Sequence, residues 1–538
     1  MEPPAGEPES EAATGEAQAV SARRDWARFY AVAAVVTPAL IVVVVAVVSF
    51  MNHLHGVDWG DDFALYMRQA KALNIGNIGE VIRDNRFTVD NSGWHTFSPY
   101  LYPWGWPLMV APVYALFGLN YEAVKVLEVA ALCGFLYFYY SLVRRRAGLV
   151  PAAVLMLVIG LSLSYVGATD TVLSDLPYLF VVGLNLWWID RCAREGILSS
   201  SRRHLIILGL LLALAFNVRR EGSTLLFAVA ALQGYAVITT AWRARSLRQV
   251  SWRQVLVPYA TFAGAVVAFQ LLLPSTLIPK VPGAGLVNAS SNIRFYRDVL
   301  AEQVGLKVPG YRASLFHSHP LAERLVVLIV VLAVVGVVLR VTASPHEDVP
   351  LAGYLVGASL VMLVSPYQEG RYLITITPFL LYFAYQALPS LVRFVDLPGR
   401  SVTRLAAAIP IIALAGMVSM NFLATKHSIN YHHLARPTVD GPESPAAVDM
   451  VGAVDRLTRG DDVILFFRAR AMTMLTDRVA LQGSNLDQML PRVEWYVMEK
   501  GSSYSQTLLT DDEAAARGLT KAWDNSNWVI WRVPPRAP

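Results

Sequence analysis

The run AVAAVVTPALIVVVVAVVSF (residues 31–50) carries no charge, and a few residues later the chain reads DWGDDFALYMRQAKAL (residues 58–73), with aspartates at 58, 61 and 62. An uncharged helix of about 20 residues spans the roughly 30 Å hydrocarbon core of a bilayer. The first stretch therefore places the chain in a membrane. The second poses the functional question of whether acids at a membrane exit solvate a helix end or supply a base outside it.

The rest of the 538-residue chain agrees with the first stretch. Hydrophobic residues make up 55% and charged residues only 16%, with a mean hydropathy of +0.44, whereas a soluble protein carries about a quarter charged residues. The deficit falls in long uncharged runs, the pattern of an α-helical polytopic membrane protein. The net charge of +5 is small, and the basic residues cluster in short loops. They speak to topology and against nucleic acid as a partner. Cys133 and Cys192 lie in or beside apolar runs and support neither a disulfide framework nor a cysteine metal site. Residues 1–25, rich in Pro, Glu, Ala and Gly, are expected to form a disordered cytoplasmic tail. The apolar run after them starts too late and is too long for a cleaved signal.

Hydropathy places spans at 28–50, 122–142, 150–168, 175–191, 203–218, 222–240, 254–273, 323–341, 350–366, 373–389 and 403–424. The segment 101–118 is apolar but holds three prolines, and is read as re-entrant or interfacial. Eleven spans, rising to thirteen if this segment crosses, put the basic loops ARRDWAR, RRRAG, RCAREG, SRR, AWRARSLRQ and RFVDLPGR in the cytoplasm. The N-terminus is then cytoplasmic in a multi-pass cell-membrane protein. Outside lie a first loop (51–121), several short turns, a loop near 274–322, and a tail (425–538) whose composition suggests a small α/β domain. In that tail DDVILFF and WVIWRV read as strands, and LDQMLPRVEWYVMEKG and DDEAAARGLTKAW as helices. The membrane domain occupies 26–424. No internal repeat is apparent.

On this topology four polar groups share the outer face. Phe63, Tyr66, Met67, Ala70 and Leu73 follow helical spacing, so Asp58, Asp61 and Asp62 head an amphipathic interfacial helix. Helix capping and a general base are both open to these acids. Asp170 and Asp175 precede a helix with Pro177 in its first turn. Arg219 and Arg220, with Glu221, stand on the side where arginines are disfavoured, and a phosphate is a natural partner for a guanidinium. Glu369, Arg371 and Tyr372 close another span. A weaker fifth group is Lys280, Arg294, Tyr296, Arg297 and Lys307, while His53, His55, His95, His317 and His319 form no metal-ligand spacing and read as solvated. Acids and arginines on one face suit glycosyl transfer from a polyprenyl-phosphate sugar: arginines hold the leaving phosphate and a carboxylate takes the acceptor's proton. Neither a Walker nor a Rossmann glycine pattern occurs. The alternative is a transporter or flippase of a lipid-linked sugar, which would need polar groups on both faces, whereas the spans here are nearly free of charge.

The order GDDFALYMRQAKAL, YLYPWGWPLMVAPVYALFGLN, TVLSDLPYLF and QEGRYLITITPFL resembles the membrane glycosyltransferases of the GT-C superfamily, among them relatives of protein O-mannosyltransferases and lipid A aminoarabinose transferases. The resemblance covers roughly residues 28–425. It implies a polyprenyl-phosphate-linked sugar as donor, a glycan, lipid or protein as acceptor, and inversion by single displacement. It assigns the general base that deprotonates the acceptor hydroxyl to Asp61, with Asp62 beside it, and a second catalytic carboxylate to Asp175. Arg371 best matches the phosphate-binding base, then Arg219 and Arg220, with Tyr372 adjacent. Where the aminoarabinose transferases carry Lys-Pro, this chain has LYPWGWP, which argues against aminoarabinose as the sugar. Some members bind a divalent metal near these acids, here Asp61 and Asp175, but the sequence does not require one.

Overall fold

The computed structural model describes residues 9–93, 100–277, 289–307, 319–396, 399–435, 439–501 and 504–535; the expectations for His95, Lys280 and His317 lie outside these residues. The chain opens with α1 (Glu9–Asn52), then α2 (Asp61–Ile75), α3 (Ile78–Asn91) and α4 (Gly105–Phe117). The membrane domain continues through α5 (Tyr121–Ala147), α6 (Leu149–Gly160), α7 (Leu163–Ala168), α8 (Asp175–Glu195), α9 (Arg202–Val218), α10 (Leu225–Ala244) and α11 (Trp252–Leu272). It closes with α12 (Ala289–Gln303), α13 (His319–Ala343), α14 (Pro345–Val364), α15 (Thr377–Phe394) and α16 (Arg400–Ala435). Every expected span lies largely on helix, and among the described residues 7 helices are long and apolar enough to cross a bilayer. At 13 residues, α4 reaches only about 20 Å, short of the hydrocarbon thickness.

Three expectations change. The stretch 9–25, expected to be disordered, forms the first part of α1; its Ala- and Glu-rich composition favours that state. The expected span 150–168 is two helices, because α6 ends at Gly160 and Ser162 restarts the chain in extended geometry before α7. The spans are also not free of charge. Four turns along α8 from Asp175, Asp190 is buried against Arg146 at 2.5 Å, and Arg146 reaches Asp348 at 3.4 Å. Asp348 in turn holds Arg340 at 2.6 Å and the Tyr382 hydroxyl at 2.7 Å. These charges satisfy one another and tie α5, α8, α13, α14 and α15 together at the end away from Asp175.

Close helix packing uses glycine, as membrane helices do where burial from water supplies no driving force. A Cβ on Gly336 of α13 would lie 1.9 Å from the Phe383 carbonyl oxygen of α15. Phe135, Tyr139, Tyr354 and Phe379 fill the space between α5, α14 and α15 with edge and stacked ring contacts.

Beyond α16 the tail folds as α17 (Pro445–Leu457), β1 (Ile464–Leu465), α18 (Ala469–Thr476), β2 (Ala480–Leu481), α19 (Leu486–Met489), β3 (Trp495–Glu499), α20 (Asp511–Ala516), β4 (Thr520–Asp524) and β5 (Trp528–Arg532). The sheet runs β2-β1-β3-β5-β4, parallel across β2, β1 and β3 and antiparallel at β5 and β4. Both expected tail helices are half strand. LDQM is helical but WYVME is β3, and DDEAAA is helical but TKAWD is β4. Pro491 interrupts the first, and the second stops before Gly518, whose φ of 75° an L side chain disfavours. Beyond these points Trp495, Tyr496 and Val497 suit the buried β3, whereas β4 is an exposed edge strand held by its pairing with β5.

The tail does not stand apart. Trp59 lies among Phe466, Phe467 and Trp528, with ring centroids 5.4, 5.7 and 5.5 Å away. The Thr88 hydroxyl donates to the Ala480 carbonyl at 2.9 Å and the Gly93 amide to the Gln482 carbonyl at 2.8 Å. One apolar core thus joins α2, α4 and the sheet domain, fixing how the first acids of α2 are presented.

Candidate active site

No side chain caps α2: Gly60 is its N-cap in extended geometry, so Asp58 and Asp62 are not the hydrogen-bonding caps that one reading of the sequence allows. Asp61 and Asp62 are free for other partners, and as neighbours on a helix they point about 100° apart. Asp61 faces the tail. Its Oδ1 accepts the Arg470 amide N–H at 3.1 Å, and the Arg468 guanidinium stands 3.8 Å from its Oδ2. Burial pushes its carboxyl up to about 6, against the pull of Arg470 and Arg468.

Asp62 turns to the membrane domain. It accepts from the Tyr102 hydroxyl and pairs with Arg371 at 3.1 Å. Burial alone would raise its carboxyl, but Arg371, Tyr102 and Arg470 together hold it below the ordinary range. Asp175, the first residue of α8 and 6% exposed, pairs through Oδ1 with Arg219 at 2.5 Å. Its Oδ2 lies 3.7 Å from Arg371 and has no hydrogen-bond partner. One residue before it, the Ser174 hydroxyl meets the Tyr66 hydroxyl at 3.0 Å.

The arginines come from two irregular turns. Arg219 ends α9 in extended geometry, 3.5 Å from Glu221, with its guanidinium 5.6 Å from the Tyr372 ring centroid. Arg371 sits in the short 3-10 turn Gly370–Leu373 and pairs with Asp62, Asp175 and, at 3.8 Å, Glu369. Burial would lower its pKa, but Asp175 and Asp62 raise it above the ordinary value. Arg220 differs. It donates to the Thr276 and Phe216 carbonyls at 2.9 and 3.1 Å and to the Ser275 hydroxyl at 2.7 Å, so it ties the chain after α11 to the end of α9.

Asp62, Asp175, Arg219, Arg371 and Tyr372 therefore converge, while Asp61 stands behind them and Arg220 lies at the edge. Asp170 is elsewhere, paired with Lys125 at 2.8 Å and accepting the Leu54 amide N–H. Arg297 and Lys307 pair with Glu323 and Glu302, outside the cluster. His53 is not simply solvated: it meets the Thr169 hydroxyl at 3.0 Å, and burial with Lys125 nearby pushes it down to about 4. Tyr66, Tyr102, Arg468 and Arg470 were not anticipated. Tyr66 carries a signal in hindsight, since it follows Asp62 by one helical turn and shares its face. Arg468 and Arg470 carry none.

Two cavities meet at the cluster. One, of about 400 Å3, runs from Asp175, Arg219, Arg371 and Tyr372 along apolar Ala358, Val361 and Met362 of α14. The other, of about 260 Å3, is walled by Asp62, Tyr66, Tyr102 and Ser174 and shares Arg219, Arg371 and Tyr372 with the first. Asp61 and Asp175 turn to different partners, and the metal-ligand grouping found among the described residues, His55, Glu122 and Glu443, includes neither. The donor set at the cluster is already neutralised by arginine and does not fit a divalent ion there.

No protein-family model matches the chain, and no curated protein matches it. Among solved structures it is similar to ArnT from Cupriavidus metallidurans bound to undecaprenyl phosphate, with a TM-score of 0.53 and 13% identity over 92% of this chain and 97% of that one. The apo form of the same protein gives a TM-score of 0.52 and 12% identity over the same shares. At this identity the likeness shows the fold alone, one shared over most of both chains.

Proposed function

We propose that this protein is a membrane glycosyltransferase that moves a sugar from a polyprenyl phosphate to an envelope acceptor on the extracytoplasmic face, with inversion. The observation that carries this reading is the Asp62–Arg371–Asp175–Arg219 cluster at the junction of an apolar and a polar cavity. The apolar cavity suits the first isoprene units: Val361 and Val364 are 37% and 50% exposed on the outside of α14, so its wall adjoins the bilayer. The lipid phosphate then lies against Arg219 and Arg371, with Tyr372 beside them. A fold shared with a protein solved with undecaprenyl phosphate supports the same donor class.

Of the acids suggested by the sequence, Asp62 is the better base, because it lines the polar cavity and Asp61 does not. Before donor binds, Arg371 keeps Asp62 ionised and weakly basic. A phosphate arriving at Arg371 competes for that guanidinium and restores the basicity of Asp62. Asp62 then takes the proton from an acceptor hydroxyl as its oxygen attacks the anomeric carbon. The bond from that carbon to the phosphate oxygen breaks, and the negative charge that develops on the phosphate is held by Arg219 and Arg371. Asp175 orients both arginines, and Asp61 positions α2 by binding the tail. A flippase is less well supported, since the buried charges at the far end of the bundle are fully paired.

The test is to remove the gene, find by mass spectrometry which envelope component loses a sugar, and complement with Asp62→Asn and Arg371→Ala. Restoration of the sugar by both variants would refute the enzyme. A single cysteine at exposed Ser526, labelled from outside intact cells, tests the orientation.

A further inference from the structure

A third cavity, of about 700 Å3, lies on the other side of the α2 N-terminus and has no part in the site above. Gly60, the N-cap of α2, and Phe63 of α2 wall it, whereas Asp62 and Tyr66 of the same helix wall the polar cavity. The chain leaving α16 runs beside residues 55–58: the Val439 amide donates to the His55 carbonyl at 3.1 Å, and Gly441 packs on the Val57 carbonyl so closely that a Cβ would come within 1.9 Å. That pairing sets Asp440 beside Asp58 at the cavity wall. Burial, and then the neighbouring Asp440, push the Asp58 carboxyl above its ordinary range. Tyr431 and Tyr504 add aromatic surface, and among the described residues no arginine or lysine lines the cavity.

This cavity is not isolated. A smaller one of about 280 Å3 shares Gly167, Thr171 and Leu173 with it and shares Asp175 and Arg371 with the catalytic cluster. The wall common to the catalytic cluster and the smaller cavity holds the buried, unpartnered Oδ2 of Asp175. A molecule in the large cavity can thus extend past Gly167 and Thr171 to the guanidinium that Asp62 and Asp175 share.

We propose that this pair of cavities is the acceptor site and that its occupant is a carbohydrate, the hydroxyl to be glycosylated leading past Gly167 and alongside Arg371 to the Asp62 carboxylate that pairs with it. The inference rests on the glycosyltransferase reading and adds the acceptor's class and route. Carboxylates accept hydroxyl hydrogen bonds, and tyrosine rings cover the apolar C–H faces of a sugar ring. A lipid tail would not be drawn to a wall holding Asp58, Asp170 and Asp440. An extended peptide would be expected along a free strand edge, and among the described residues no strand lines this cavity.

Gly167 supplies the test. A Cβ there meets nothing within 4 Å, so a large side chain fills the passage without a clash at its root. In cells lacking the native gene, the full chain with Gly167→Phe should lower transfer of the sugar by about tenfold or more, while undecaprenyl phosphate binding by the purified protein stays within about twofold of wild type. The doubly substituted Tyr431→Ala/Asp440→Asn, altered only at exposed positions, should show the same split and guards against misfolding of the first variant. Undiminished transfer in both variants overturns the route. A missing sugar found on protein or on a lipid headgroup, rather than on a glycan, overturns the acceptor class. Loss of undecaprenyl phosphate binding in Arg371→Ala, by contrast, reports on the donor site alone.

Discussion

Replacing Asp62 with asparagine separates the two adjacent acids. Asparagine keeps an oxygen where the Tyr102 hydroxyl donates and removes the charge that faces Arg371 at 3.1 Å. Arg371 retains Asp175 and Glu369 as partners, so the turn that holds it should survive. A general base contributes about 10²- to 10⁴-fold to a proton transfer, or about 3 to 5 kcal/mol of barrier. Turnover should therefore fall by about that factor, and the affinity for undecaprenyl phosphate should hold or rise as Arg371 loses a competitor. The parallel variant Asp61→Asn keeps an acceptor for the Arg470 amide N–H. It should cost only severalfold in turnover. The assay follows sugar transfer in membranes from cells that make the native donor, with the amount of folded protein measured alongside. The reasoning fails if Asp62→Asn keeps more than a tenth of the rate. It fails equally if Asp61→Asn loses as much as Asp62→Asn at normal protein levels.

Asp61 also predicts a pH effect on stability. Its folded pKa of about 6 lies above its ordinary 3.8, so between those values the folded state binds more protons than the unfolded one and stability falls as pH rises. Melting of the wild type from pH 4 to 6 should show that fall, and Asp61→Asn should flatten it. Arg219→Met leaves Asp175 buried without its 2.5 Å partner and should cost about 3–5 kcal/mol. Arg219→Met with Asp175→Leu should melt higher than the single variant, and a double variant that melts no higher would show that the pair is not coupled. Gly336→Ala drives a Cβ into the Phe383 carbonyl and should destabilise the α13–α15 contact by about 1–3 kcal/mol, read as a lower melting temperature in detergent.

Much of this was legible from residue types. Uncharged runs of bilayer length locate helices wherever they occur, because every buried backbone group in lipid must be satisfied within its own segment. The same local logic failed in two kinds of place. It missed the Gly160–Ser162 break, where a short irregular stretch sits inside an otherwise apolar window. It also ran helix through Trp495–Glu499 and Thr520–Asp524, where strand neighbours decide the state. Asp190 and Asp348 escaped notice because each lies near an end of its helix, where a charge reads as solvated until its partners are known.

By itself the sequence determined a polytopic membrane chain with a small α/β tail, and a short set of acids and arginines that share one face. These follow from hydropathy, segment length and the positions of charges along the chain, all of them local quantities. Only the tertiary structure decided which acid of the Asp61–Asp62 pair meets the arginines. Asp62 reaches Arg371 across 309 positions of chain, and Asp61 reaches the Arg470 amide across 409. Two identical neighbours on a helix diverge by about 100°, so their roles depend on how α2 is rotated. That rotation is set by Trp59 buried in the aromatic core of the sheet domain, a contact between segments that no local pattern could connect.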